Sequence, residues 1–241
     1  MRNLFKKLFS TGATKSRSTV SGITEYQTNL DRSLNHSDIV IRISKKAVIP
    51  QDVQIILDYF EKQILAGVQF KSGETLQLGF VLNQFKELDD GRLLLQEPDM
   101  VSFPIQYTSS MDFTFITLRN QKDVVESIDR TLDFDFPAIT QALMVHKDYK
   151  SSPALRLDRS ASDGVRSGWW VHTNDDFNPD DYYITSMYQF ALDRPDLVKY
   201  LALPVGYRVC EIKGKPFKIL LNNNEVHFQD GSYLAELNKG P

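Results

Sequence analysis

The two tryptophans of this 241-residue chain are neighbours, in Ser167-Gly168-Trp169-Trp170-Val171-His172. Read as a strand, Gly168 to His172 points successive side chains to opposite faces of a sheet. The two indoles therefore cannot enter the same core. One is expected to anchor a core, where an indole contributes more buried area than almost any other side chain. The other must be covered by a further element or remain available to a partner, a role tryptophan often has at interface hot spots.

Strand and helix signals surround that point. Asp38-Ile39-Val40-Ile41-Arg42-Ile43 reads as a strand. Pro50 then opens a helix with Val53, Ile56, Leu57, Phe60, Ile64 and Leu65 on one stripe, and Gly67 closes it. Thr75 to Phe85 and Arg92 to Gln96 are strand-like runs around Asp89-Asp90-Gly91, a hairpin signal. Asp112 to Leu118 alternates Phe113, Phe115 and Thr117 and reads as a strand; Val124, Val125 and Ile128 mark a helix over Gln121 to Thr131. Beyond these come a strand over Ala142 to Val145, the tryptophan strand, and a helix over Tyr183 to Leu192. A helical turn starts at Pro195, with Asp193 as its cap. Strands follow over Tyr207 to Ile212, Phe217 to Leu221 and Val226 to Phe228, the last two joined by Asn222-Asn223-Asn224. The order implies an α+β fold of two small domains, each a mostly antiparallel sheet with helices packed on one face. Composition shifts at Leu132-Asp133-Phe134-Asp135-Phe136-Pro137, which places the domains at 36–136 and 137–241, behind a tail and linker over 1–35.

Charge and cysteine content narrow the function. With 28 basic against 31 acidic residues the net charge is -3, which lacks the basic footprint of a nucleic-acid-binding domain. Cys210 has no second cysteine to pair with, and its apolar run from Tyr207 to Ile212 marks it as a small buried hydrophobe. Met1 to Phe9 is basic and amphipathic, with Arg2, Lys6 and Lys7 between Leu4, Phe5, Leu8 and Phe9. Lys6-Lys7 interrupts the continuous apolar core of about 7–15 residues that a secretory signal needs. The segment is also too short for stable membrane anchoring. A cytoplasmic protein with a loosely docked terminal helix, then a Ser/Thr/Gly-rich linker over Thr11 to Ser21, is expected.

Catalytic and metal motifs are missing from the sequence. It holds no Gly-rich phosphate loop and no Gly-x-Ser-x-Gly elbow. His36, His146, His172, His227 and the one cysteine have no zinc-ligand spacing. Asp176-x-Asn178-x-Asp180 begins like a calcium loop, but Asp181 replaces its glycine and Met187 its bidentate acid. No metal, cofactor or catalysis is expected, and His172 reads as paired with nearby carboxylates rather than as a general base. The loop from His172 to Tyr183 is more suggestive. It mixes Asp175, Asp176, Asp180 and Asp181 with Phe177, Tyr182 and Tyr183 around Pro179, a combination that suits a basic partner surface. A solvated connector is the plainer reading of such a charge run.

The succession of Ser167-Gly168-Trp169-Trp170, an acidic loop, a helical run and Leu201-Ala202-Leu203-Pro204-Val205-Gly206 resembles the immunity protein 33 family. That family comes from polymorphic-toxin and contact-dependent secretion systems, and the resemblance covers the C-terminal part only. It implies an inhibitor in interbacterial competition, type VI secretion included, that binds a cognate secreted toxin stoichiometrically without catalysis. Combined with the chemistry of the loop, it makes Trp170, His172, Asp175, Asp176, Phe177, Asp180, Asp181, Tyr182 and Tyr183 the expected toxin-binding residues. An adaptor module and a hydrolase with a motif-free site stay open as other classes, and the oligomeric state, a homodimer included, is not fixed.

Overall fold

In the computed structural model, residues 17–20, 22–101, 103–173 and 177–239 are described. Met1 to Phe9, Asp175 and Asp176 lie outside the described residues. The chain divides into two compact units, Met1–Leu118 and Arg119–Pro241.

The first unit is built on a seven-stranded sheet. Its order is β1(Arg17–Val20), β2(Ile23–Gln27), β3(Ile39–Ile43), β6(Leu93–Pro98), β5(Val81–Glu87), β4(Thr75–Leu78), with β7(Tyr107–Thr108) paired to β6. Every pair is antiparallel except β3 with β6. Helix α1(Pro50–Leu65) starts at Pro50 as expected and buries Val53, Ile56, Leu57, Phe60 and Ile64, while Leu65 is exposed. Phe60 meets Phe85 of β5 edge to face at 5.7 Å, fixing the helix on the sheet. The Asp-Gly signal is a real hairpin: Gly91 takes a φ of 81°, and Leu88 N–H reaches the Arg92 carbonyl at 2.8 Å. The Thr75–Phe85 run is two strands rather than one, folded back at Gly79 with φ 59°. Residues 17–27, part of the stretch read as tail and linker, supply β1 and β2.

One expectation fails outright here. Asp112 to Leu118 is not a strand but the start of helix α2(Asp112–Ile128). Carboxylate contacts with distant parts of the chain decide it. Glu97 on β6 accepts hydrogen bonds from the N–H groups of Phe113 (2.9 Å) and Thr114 (2.6 Å), the first donors a helix leaves unpaired. Asp112 accepts in turn from the backbone of Ser44 and Lys45, both at 3.0 Å. The period-two spacing of Phe113, Phe115 and Thr117 is overridden by this tertiary capping. The division between the units falls inside α2, after Leu118.

The second unit has its own seven-stranded sheet, in the order β11(Tyr182–Ser186), β8(Ala142–His146), β10(Arg166–His172), β9(Ala154–Arg159), β12(Tyr207–Ile212), β13(Lys218–Leu221), β14(Asn224–Glu225). Only β8 and β10 are parallel. Strand β12 has the bounds expected, and Asn222 and Asn223 turn the chain with φ 50° and 67°. The run Tyr183–Leu192 departs from the helix expected. It opens as β11, and α3(Met187–Asp193) begins only where the Ser186 hydroxyl accepts the Gln189 N–H at 3.0 Å. Asp193 does not cap the turn Pro195–Tyr200; it accepts from the Tyr149 hydroxyl and from Gln189 Nε2. Val226 to Phe228 is not a strand.

One face of this sheet is core. Leu143, Val145, Leu157, Trp169, Val171, Val209 and Ile219 are all buried on it. Trp169 is 1% exposed, and its indole N–H donates to the Leu201 carbonyl at 3.1 Å. The Arg159 guanidinium stands 5.5 Å over its ring. The second part of α2 belongs to this core through buried Val124 and Val125, and Gln121 Nε2 donates to the Val198 carbonyl. Ser127 Oγ accepts the Leu234 N–H of α4(Tyr233–Asn238). The protein is thus α+β, with two mostly antiparallel sheets and a few helices.

Candidate interaction site on the second sheet

Side chains alternate across a strand, so the residues between the core positions line the other face. Cross-strand register sets them in two rows. One row runs Ile184, Met144, Trp170, Asp158, Arg208, Leu220 from β11 to β13. The other runs Tyr182, His146, His172, Arg156, Cys210, Lys218. Trp169 and Trp170 do take opposite faces: the first is buried, the second half-buried on this open one.

An aromatic cluster occupies the β11 end. Trp170 stacks on His172, with centroids 6.2 Å apart and planes 8° from parallel. Phe177 lies 5.0 Å from Tyr182 and 6.4 Å from Trp170, and is itself 57% exposed. Tyr182 meets His172 at 5.4 Å and His146 at 5.4 Å, both edge to face.

Polar bonds hold the cluster still. The Tyr182 hydroxyl lies 2.6 Å from His172 Nδ1, and His172 Nε2 lies 3.4 Å from an Asp158 oxygen. Burial, reinforced by the Arg156 charge and opposed by Asp158, pushes the His172 pKa down. Burial pushes the Tyr182 phenol up. The neutral pair therefore has the Tyr182 O–H donating to Nδ1 and the His172 Nε2–H directed at Asp158. Arg208 grips Asp158 through Nε at 2.6 Å and Nη2 at 3.3 Å, and Arg208 Nη1 reaches Asn223 Oδ1 at 3.0 Å. A line of polar contacts thus spans the sheet from β11 to the β13–β14 turn. Its phenol stays protonated, so its effect is to orient rings rather than to generate a nucleophile.

Residues 120–217 match the family model of the Imm33-like domain.

The match supports the resemblance read from the C-terminal sequence, and its span holds β8, β9, β10, β11 and β12, hence the whole aromatic cluster. Neither a curated protein nor a solved structure matches the chain. Within the matched segment the expected contact residues do not all converge. Trp170, His172, Phe177 and Tyr182 come together on the open face. Asp181 stands at its margin, where the Lys147 ammonium bonds it at 2.7 Å and holds its carboxyl below the usual range. Asp180 is exposed in the short turn Pro179–Asp181. Tyr183 turns to the other face, 6.4 Å from the Tyr149 ring. Asp175 and Asp176 lie outside the described residues.

His146, Arg156, Asp158 and Arg208 are parts of the site that sequence reading missed. The alternation Ala154-Leu155-Arg156-Leu157-Asp158-Arg159 was a signal for β9, with Arg156 and Asp158 on the polar face. Beside the cluster the second unit has a cleft of about 150 Å³, lined by Leu143, Met144, Gly168, Trp170 and Ile184 among others. Strand β10 shifts register between Arg166 and Trp170, and Gly168 sits in that irregularity with φ 84°. A Cβ there would stand 2.2 Å from the Ser160 carbonyl oxygen, so only glycine fits. Among the described residues, no group of three or more His, Cys, Asp or Glu is placed to hold a metal ion. No helix among them is long and apolar enough to cross a membrane.

Proposed function

We propose that this protein is an immunity protein that neutralises a cognate secreted bacterial toxin by stoichiometric binding, without catalysis, in the cytoplasm of the cell it protects. The observation that carries the reading is the Imm33-like match on the segment that builds a fixed, half-open aromatic face. Trp170, Phe177 and Tyr182 form the anchor, already ordered by His172 and Asp158, so little side-chain entropy is lost on docking. Asp180 and Asp181 supply an acidic margin suited to a basic toxin face, which speeds encounter. A polymorphic or type VI effector is the source of toxin that fits.

The test is co-purification with the toxin domain encoded beside this gene, followed by binding kinetics and a protection assay. Replacing Phe177 or Tyr182 by Ala is expected to raise the dissociation rate, by about 2 kcal/mol where the residue is an anchor. Reversing Asp180 is expected to slow association and flatten its salt dependence instead. A wild-type protein that neither binds nor protects against that toxin refutes the proposal.

A further inference from the structure

Among the described residues strand β11 is an edge, paired on one side only, with β8. Two bonds fix its orientation: Lys147 N–H to the Asp181 carbonyl at 2.7 Å, and Met187 N–H to the Gln141 carbonyl at 2.8 Å. By the antiparallel alternation, Asp181, Tyr183, Thr185 and Met187 turn their backbone groups towards β8, and Tyr182, Ile184 and Ser186 turn theirs outward. The Tyr182 N–H is spent on the Pro179 carbonyl, and the Ser186 carbonyl opens the bonding of α3. What remains outward is the Tyr182 carbonyl, both groups of Ile184 and the Ser186 N–H. None of these has a backbone partner among the described residues beyond β11.

Sheet edges are usually blunted by charge, proline or shortness. The opposite edge follows that rule, since β14 has two residues. Strand β11 does not. From Tyr182 to Leu192 the sequence carries no charge, and within the strand Tyr183 is 42% and Ile184 54% exposed.

We propose that β11 is where two copies of this chain join, by antiparallel pairing about a two-fold axis at Ile184. In that register Ile184 exchanges both its hydrogen bonds with Ile184 of the second copy. Each Tyr182 carbonyl receives the Ser186 N–H of the other copy, so every outward group is used. Ile184 meets its own mate on the face that carries Trp170, and Tyr183 meets Thr185 on the other. A basic toxin strand gains no carboxylate along Tyr182–Leu192, whereas a second copy brings no charge that needs one. The joined sheet carries both aromatic clusters on the same side.

Sedimentation velocity of the full chain tests this, over about 1–300 µM, the range suited to an interface below ~1,200 Å². The wild type is expected to shift from monomer to dimer with concentration. Ile184→Pro removes an outward N–H without touching the β8 ladder. Ile184→Lys places like charges opposite each other at the axis, and covers the case in which the proline variant fails to fold. Both variants are expected to stay monomeric with wild-type circular dichroism. A wild type that is monomeric throughout, or folded variants that dimerise like wild type, overturns the inference. Loss of toxin binding in variants of a monomeric wild type would hand the edge to the toxin and also overturn it.

Discussion

Trp169 and Trp170 share a strand and differ in everything around them. Trp169 is sealed between Leu201 and Arg159, so Trp169→Ala leaves a cavity and an unpaired carbonyl. Its cost is expected at about 3–5 kcal/mol in urea unfolding, with the Trp170→Ala cost well below that. Gly168, the residue before them, is the more demanding position. Gly168→Ala combines a φ of 84° with a 2.2 Å clash against backbone, and is expected to destabilise the protein by on the order of 3 kcal/mol or more. A Gly168→Ala protein with wild-type unfolding would show that β10 relaxes freely at its irregularity. The split of the indoles was legible because it follows from strand geometry alone. The network around Trp170 was not, since its cross-strand neighbour Asp158 is held by Arg208 of β12, fifty residues further along the chain.

Elements that carry their own punctuation were readable: the Pro50 start of α1, the Asp-Gly hairpin and the Asn turn before β14. Those settled by distant groups were not. Helix α2 is started by Glu97 from β6, and β11 is extended because β8 pairs with it, although Tyr183 to Leu192 also fits a helix. Glu97 gives a testable pH dependence. Burial pushes its pKa up to about 7 from an ordinary 4.5, against the N–H groups of Thr114 and Phe113 that favour the charged form. A carboxyl whose folded pKa is raised contributes stability that is complete below 4.5 and lost as pH rises through 7. Relative to Glu97→Gln, wild-type unfolding free energy is therefore expected to fall between pH 4.5 and about 7, by up to about 1.4 kcal/mol per pH unit, and to level off above. A parallel pair of profiles would mean that Glu97 is ionised throughout.

At the scale of the whole chain, the second compact unit begins at Arg119, ahead of the compositional shift at Leu132–Pro137. A fragment from Arg119 keeps Gln121, Val124, Val125 and Ser127, whereas one from Pro137 exposes the surfaces they cover. Cooperative melting is expected of the longer fragment, with the shorter one melting several degrees lower or not cooperatively. Equal melting of the two would place the boundary at the shift in composition. Composition could not show the role of α2, because the helix runs through the division without a break in sequence character.

The parallel pairing of β8 with β10 has a consequence in time. Strand β9 lies between them in sequence but on the far side of β10 in the sheet, and β12 closes on β9 in turn. The aromatic cluster and the Asp158–Arg208 pair that steadies it therefore draw on strands made from Ala142 to Ile212, and no early hairpin contains them. At translation rates of about 5–20 residues per second, that span takes on the order of 3–15 s to emerge. A nascent chain that has already displayed Trp170 still lacks the Arg208 that steadies its neighbour Asp158. The aromatic face is thus assembled only after β12 has been made, and the toxin binding proposed for it would begin no earlier.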